Sequence, residues 1–209
     1  MKNNIKLPRY YEFSGTPCSG KDSILAELAK VGLINIIDES ANKCSLPREL
    51  FEIEILWTVF DTYDKYKNVI SSFNSNNQPF IFNRGLFDRI AFIHLLNTIS
   101  DSNINLSNKI EKWFLKELYT VESRVFLFLT SFGLAKERKV KYRLRSDSNF
   151  QIVNKEVISL LNDIYESLYN SYKSDFNIIL IDETKAEISL ETKIELVKKH
   201  IPSSSRRPL

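Results

Sequence analysis

Residues 15 to 21 run Gly15, Thr16, Pro17, Cys18, Ser19, Gly20, Lys21, the spacing G-x-x-x-x-G-K. In this pattern the glycines let successive backbone N–H groups turn toward a phosphate chain. The lysine reaches the terminal phosphates, and the helix that follows adds the positive end of its dipole. With five glycines among 209 residues the spacing arises by chance in about one chain in a hundred. It also stands between an apolar run, "RYYEFSG", and a helical pattern, which is the context the motif requires. The next position departs from the pattern: where Ser or Thr would offer a hydroxyl to magnesium, the chain has Asp22, followed by Ser23. Cys18 fills a free position of the loop, and no neighbouring base would activate its thiol.

Three further groups stand where the chain leaves an apolar run. "DES" places Asp38 and Glu39 at the end of "LINIID". Two such acids are ordinarily a solvated turn, but beside a phosphate loop a carboxylate can orient, or take a proton from, a hydroxyl that attacks the γ-phosphate. Neighbouring strand residues face opposite ways, so one of the pair is expected to point into the cleft. "FNRGLFDR" puts Asn83 and Arg84 at a strand end, Gly85 in the turn and Asp88 in the first turn of a helix. An acid there can simply favour the helix dipole, whereas Arg84 can clamp phosphate charge with paired hydrogen bonds. "KERKVKYRLRSD", from Lys136 to Asp147, is read as a basic lid over bound nucleotide, with Arg143 and Arg145 as its phosphate contacts.

The elements that must position these residues follow from periodicity. Five apolar runs, at 9–15, 33–38, 79–83, 124–129 and 177–182, read as strands covered on both faces. Ile53, Leu56, Trp57, Phe60, Tyr63 and Ile70 predict a long helix from Pro47 to Phe73. Val153, Val157, Leu160, Leu161, Ile164 and Leu168 predict another, introduced by Ser148 and Gln151 at capping-box spacing. Shorter helices fit 21–31, 86–96, 106–119 and 189–200. Strands alternating with helices imply right-handed crossovers, a three-layer α/β fold and a mainly parallel five-stranded sheet, with ligands beyond the carboxyl ends of the strands. One domain over 1–201 with a flexible tail, 202–209, is expected.

Composition narrows the function classes. At 43% hydrophobic and 26% charged the chain is globular in type, and its formal net charge is +3, too modest for a strand-binding surface, so nucleic acid is not the expected partner. No apolar run reaches a membrane span, and the start carries no long apolar secretory core, which leads to the expectation of a cytoplasmic protein. Two cysteines and two histidines are too few for a disulfide framework or a structural zinc site.

The order of these motifs resembles that of small P-loop kinase-like ATPase (AAA) domains of the kind found as the nicotinamide riboside kinase domain of a bifunctional regulator of NAD biosynthesis. Deoxynucleoside and thymidylate kinases are more distant relatives. The similarity covers residues 10 to 185 and rests on the phosphate loop, "DESA", "NRGLFD" and the "RSD" before a long helix. It implies a P-loop NTPase fold with ATP and Mg²⁺ as cofactors and transfer of phosphate to a nucleoside-like small molecule. By the same resemblance Lys21 binds the β- and γ-phosphates, Glu39 meets the acceptor hydroxyl, Arg84 meets phosphates or substrate, and Arg145 is the lid contact. Such domains carry Ser or Thr after the loop lysine and Asp before the arginine of "RG", whereas this chain has Asp22 and Asn83. An acid moved across the metal would keep the charge count, with Asp22 a direct and Asn83 an indirect partner of magnesium. A nucleoside monophosphate kinase, a nucleotide-dependent switch and a nucleic-acid end kinase stand as alternatives. A homodimer is compatible with the pattern, which does not fix the oligomeric state.

Overall fold

The computed structural model describes residues 9–30, 34–39, 44, 51–72, 79–100, 106–141 and 153–201. The elements run β1 (Arg9–Gly15), α1 (Lys21–Lys30), β2 (Asn35–Ile37), α2 (Phe51–Ser71), β3 (Phe80–Asn83), α3 (Leu86–Ile99), α4 (Ser107–Leu118), β4 (Glu122–Thr130), α5 (Phe132–Lys141), α6 (Lys155–Tyr172), β5 (Asn177–Glu183) and α7 (Leu190–His200). The five strands form one sheet in the order β2-β3-β1-β4-β5. Every neighbouring pair is parallel.

The phosphate loop leaves the central strand, and alternation along the strands sends side chains to two cores. Tyr11, Phe13, Ile81, Phe126, Phe128 and Ile181 pack against Ile24, Leu25 and Leu28 of α1 and Val197 of α7. On the other face Tyr10, Phe82, Val125, Leu127 and Leu129 pack against α2, α3, α4 and α6. The three layers are therefore α1 and α7, the sheet, and the remaining core helices. Helix α3 is buried nearly all round, from Leu86 to Ile93 without a break, because it lies directly on the middle of the sheet.

Three sequence expectations change. The core-facing stripe of α2 is Ile55, Thr58, Val59, Thr62 and Tyr66, at three- and four-residue spacing. The bulkier stripe read from the sequence lies sideways: Ile53 and Phe60 are exposed, and the Tyr63 ring packs at a tilt against Trp113 of α4, 4.3 Å between centroids. Both of the predicted limits of this helix, Pro47 and Phe73, fall outside the described residues. Second, α6 starts at Lys155, and its cap is Asn154, whose side chain accepts from Val157 N. Val153 precedes the helix, and the Ser148–Gln151 box lies outside the described residues. Third, the first half of the basic run is helix α5. Ala135 is its only buried residue, so it lacks apolar periodicity and stands on the helix propensity of Ala, Lys, Glu and Arg. Arg143, Arg145 and the tail 202–209 lie outside the described residues.

Asn154→Ala should lower stability by about 1 kcal/mol in urea denaturation, and Asn154→Asp should restore it, as expected for an N-cap.

Candidate functional site

The loop after β1 is shaped by the neighbouring strand. Gly15 has φ +131, and a Cβ there would stand 1.9 Å from the carbonyl oxygen of Phe128, so only glycine fits. Thr16 N donates to the same carbonyl at 3.0 Å, and Thr130 N donates to Thr16 Oγ1 at 3.0 Å. These bonds fasten the start of the loop to β4. Pro17 and Ser19 are buried, Cys18 and Gly20 half-buried, and Ser23 lies in the first turn of α1, which opens at Lys21. Burial pushes the Cys18 thiol up from its ordinary value, which does not suit a nucleophile.

Lys21 folds over its own loop. Its Nζ donates to Gly15 O at 3.0 Å, Thr16 O at 2.8 Å and Ser19 Oγ at 3.0 Å. Burial, followed by the nearby Arg84 guanidinium, brings its pKa down to about 7.

Arg84 takes up the left-handed conformation at φ +63, which for a non-glycine residue costs on the order of 1–3 kcal/mol and persists only where the surroundings hold it. Here they do. Arg84 N donates to Phe13 O at 2.9 Å. Nη1 donates to Gly15 O at 3.1 Å and to both carboxylate oxygens of Asp88 at 3.2 Å. Nε pairs with Glu39 Oε1 at 3.0 Å. Burial works against the charged guanidinium, but Glu39 and Asp88 outweigh it and keep Arg84 protonated.

The two acids lie just beyond β2, where Asp38 is exposed and Glu39 half-buried. Glu39 faces Arg84 and, at 3.9 Å, Arg89, while Lys65 donates to the main-chain carbonyl of Asp38. Asp88 does more than favour a dipole. It is fully buried, and its Oδ1 accepts from Gly15 N at 3.1 Å and from Tyr165 Oη at 2.6 Å. Burial opposes its charge, yet Arg84, Arg89 and Lys21 hold the carboxyl below its ordinary range.

Asp22 and Asn83, 61 residues apart, meet: Asn83 Nδ2 donates to Asp22 Oδ1 at 2.8 Å. Asn83 Oδ1 is buried without a hydrogen-bond partner among the described residues, and Asp22 is exposed. A carboxylate and an uncommitted carboxamide oxygen are hard donors that suit magnesium, which keeps several waters and draws further oxygens from substrate phosphates. No group of three His, Cys, Asp or Glu able to hold a metal occurs among the described residues.

Sequence reasoning missed four residues. Arg89 donates to Thr58 Oγ1 at 2.9 Å, and its guanidinium, like that of Arg84, lies over the Phe92 ring. Arg138 of α5 donates to Cys18 O at 3.3 Å and makes a two-pronged pair with Glu183. Lys193 pairs with Glu183 at 2.8 Å, 3.4 Å from where a Cβ on Gly20 would stand. Glu12, fully buried in β1, is the fourth. A glutamate inside "YYEFSG" was the available signal, since a buried carboxylate must have partners.

A parallel sheet in this order, with a phosphate loop leaving its central strand, is the P-loop NTPase fold in the form found in nucleoside and nucleotide kinases. Solved structures agree. The deoxyadenosine kinase from M. mycoides with the products dCMP and dCDP matches at a TM-score of 0.67 and 21% identity, over 91% of this chain and 97% of that one. The same kinase with bound dATP matches at 0.67 and 20%, over 91% and 98%. Thymidylate kinase from Candida albicans matches at 0.65 and 12%, over 93% and 91%. No protein-family model and no curated protein matches the chain. No helix among the described residues is long and apolar enough to cross a membrane.

Burial and the nearby Arg84 bring the pKa of Lys21 down to about 7, and a phosphate brought to its Nζ would favour the charged form, so nucleotide binding at this lysine would take up protons above that pH, approaching one per site. Calorimetry near pH 8 in buffers of different ionisation enthalpy should show this uptake, and Lys21→Met should abolish it.

Proposed function

We propose that the protein is an ATP-dependent kinase that transfers the γ-phosphate to a hydroxyl of a nucleoside or nucleoside-like small molecule. The observation that carries this reading is the Glu39–Arg84 ion pair, 3.0 Å apart, with Arg84 also bonded to the phosphate loop at Gly15. A carboxylate able to take the hydroxyl proton and a guanidinium able to neutralise phosphate are thus held together beyond the carboxyl ends of the strands. The likeness to the deoxyadenosine and thymidylate kinases supports the class of acceptor.

In this reading the loop N–H groups and Lys21 cradle the β- and γ-phosphates. Glu39 accepts the proton as the acceptor oxygen bonds to the γ-phosphorus and the bond to the β–γ bridging oxygen breaks, leaving ADP. Arg84 meets the charge that spreads over the transferring group, so that catalysis is mainly positioning and neutralisation. Asp22 and Asn83 are the residues that would hold magnesium, and bound magnesium supplies further neutralisation of the phosphates. Arg143 and Arg145, with Arg138 at the foot of the same segment, would close over the donor. A cytoplasmic location belongs to the same proposal.

A panel of nucleosides and nucleoside monophosphates, nicotinamide riboside included, should yield one class of phosphorylated product, with Lys21→Ala reducing turnover by about 10²-fold or more. Tight ATP binding with no product from any acceptor would instead make the chain a nucleotide-dependent switch. Asp22→Asn should weaken Mn²⁺ binding to the nucleotide complex by about ten-fold, read by electron paramagnetic resonance, because it removes the one carboxylate offered to the ion.

A further inference from the structure

The carboxylate of Glu12 takes no part in the reading above, yet it has no access to water. Tyr10, Glu12 and Ser14 alternate along β1 on the face that carries α3. Glu12 Oε1 accepts from Ser14 Oγ at 2.5 Å and from Asp88 N at 2.7 Å. Oε2 accepts from Tyr10 Oη at 2.6 Å and from Phe87 N at 3.0 Å. Tyr10 Oη in turn accepts from Leu86 N at 2.8 Å.

The opening N–H groups of a helix lack partners inside it and are ordinarily capped by the preceding residue. At α3 that residue is Gly85, which has no side chain to offer. A Cβ at Gly85 would stand 2.0 Å from Tyr10 Oη and 2.7 Å from Glu12 Oε2. The first intrahelical bond is from Arg89 N to Gly85 O, so the three N–H groups before it, at Leu86, Phe87 and Asp88, all depend on side chains of the neighbouring strand. Glu12 therefore caps α3 from another element, and its carboxyl oxygens stand at the positive end of the helix dipole.

The bonded segment carries the site. Arg84 precedes these N–H groups and Asp88 carries the last of them, and the side chains of both contact the phosphate loop, through Gly15 O and Gly15 N. The left-handed backbone of Arg84 lies one residue before Gly85. We infer that Glu12 is a positioning residue: by capping α3 across the sheet it holds residues 84 to 88 against β1 and so aims the Arg84 guanidinium at nucleotide phosphate. The inference rests on the reading of Arg84 as a phosphate contact, and it requires no phosphate transfer.

The substitution Glu12→Gln tests it, since an amide nitrogen cannot accept and one backbone N–H must lose its partner while the hydroxyls can rotate. Expected are a fall of about ten-fold in hydrogen-exchange protection at the amides of 86–88 and a rise of about ten-fold in the Kd for ATP measured without acceptor. In an Arg84→Lys background the same change should alter the Kd by less than about three-fold, because residues acting through one another are not additive. Should Glu12→Gln fail to fold, Tyr10→Phe, which removes one hydroxyl from the same array, should show losses of the same sign at Leu86 and in the Kd. A parent-like Kd in a folded variant, unchanged amide protection, equal losses in both backgrounds, or a parent chain that binds no ATP would overturn the inference. Absence of product from every acceptor, with these shifts intact, would count against the kinase reading alone.

Discussion

A carboxylate sealed from water has to be matched on every side, and Asp88 is where that requirement organises this protein. Its oxygens hold the N–H of Gly15 at the mouth of the phosphate loop, the hydroxyl of Tyr165 on α6, and the guanidinium groups of Arg84 and Arg89. Withdrawing any one of these partners would leave a buried charge short of compensation, which proteins tolerate poorly. The cluster therefore binds the central strand, the start of α3 and a helix from far along the chain into one arrangement. Glu39 and the phosphate loop are set against Arg84 because Arg84 is itself set against Asp88.

The same economy of charge explains the state of the loop. Lys21 places its Nζ against the loop's own carbonyls and a serine hydroxyl, and burial brings its pKa down to about 7. In the proposed function a phosphate brought to this lysine would offer stronger, charge-assisted acceptors and favour its charged form. Opposite the lysine, Asp22 and Asn83 share one hydrogen bond, an acid at the loop and an amide at the strand end. On the far side of the loop Arg138 holds Cys18 O while tied to Glu183, linking the basic segment to the phosphate site through the end of β5.

Much of the fold was legible. The five strands lie where continuous apolar runs stand, because a parallel strand covered on both faces has no polar positions to interrupt it. Helices were harder where two patterns competed. On α2 the bulky aromatics drew the eye, but the smaller stripe through Thr58, Val59 and Thr62 packs flat against α3, while Tyr63 turns aside to Trp113. Helix α5 was hidden because a helix with one buried side chain leaves no periodic trace. Asn154 escaped notice because a capping-box spacing further upstream offered a more familiar signal.

By itself the sequence determined what short-range sterics control. The glycine spacing and the strand–turn–helix context of residues 9 to 30 specify the shape of the loop after β1, since φ and close backbone approach are decided within a few residues. Tertiary structure alone decided which groups surround it. That Glu39 faces Arg84, that Asp22 touches Asn83, that Arg138 reaches Cys18 and that Glu12 caps a helix beginning 74 residues later all follow from strand register and helix packing. Pairings of this kind join distant segments through the cost of burying a charge or an N–H group unmatched, a cost that exists only once the sheet has brought those segments together.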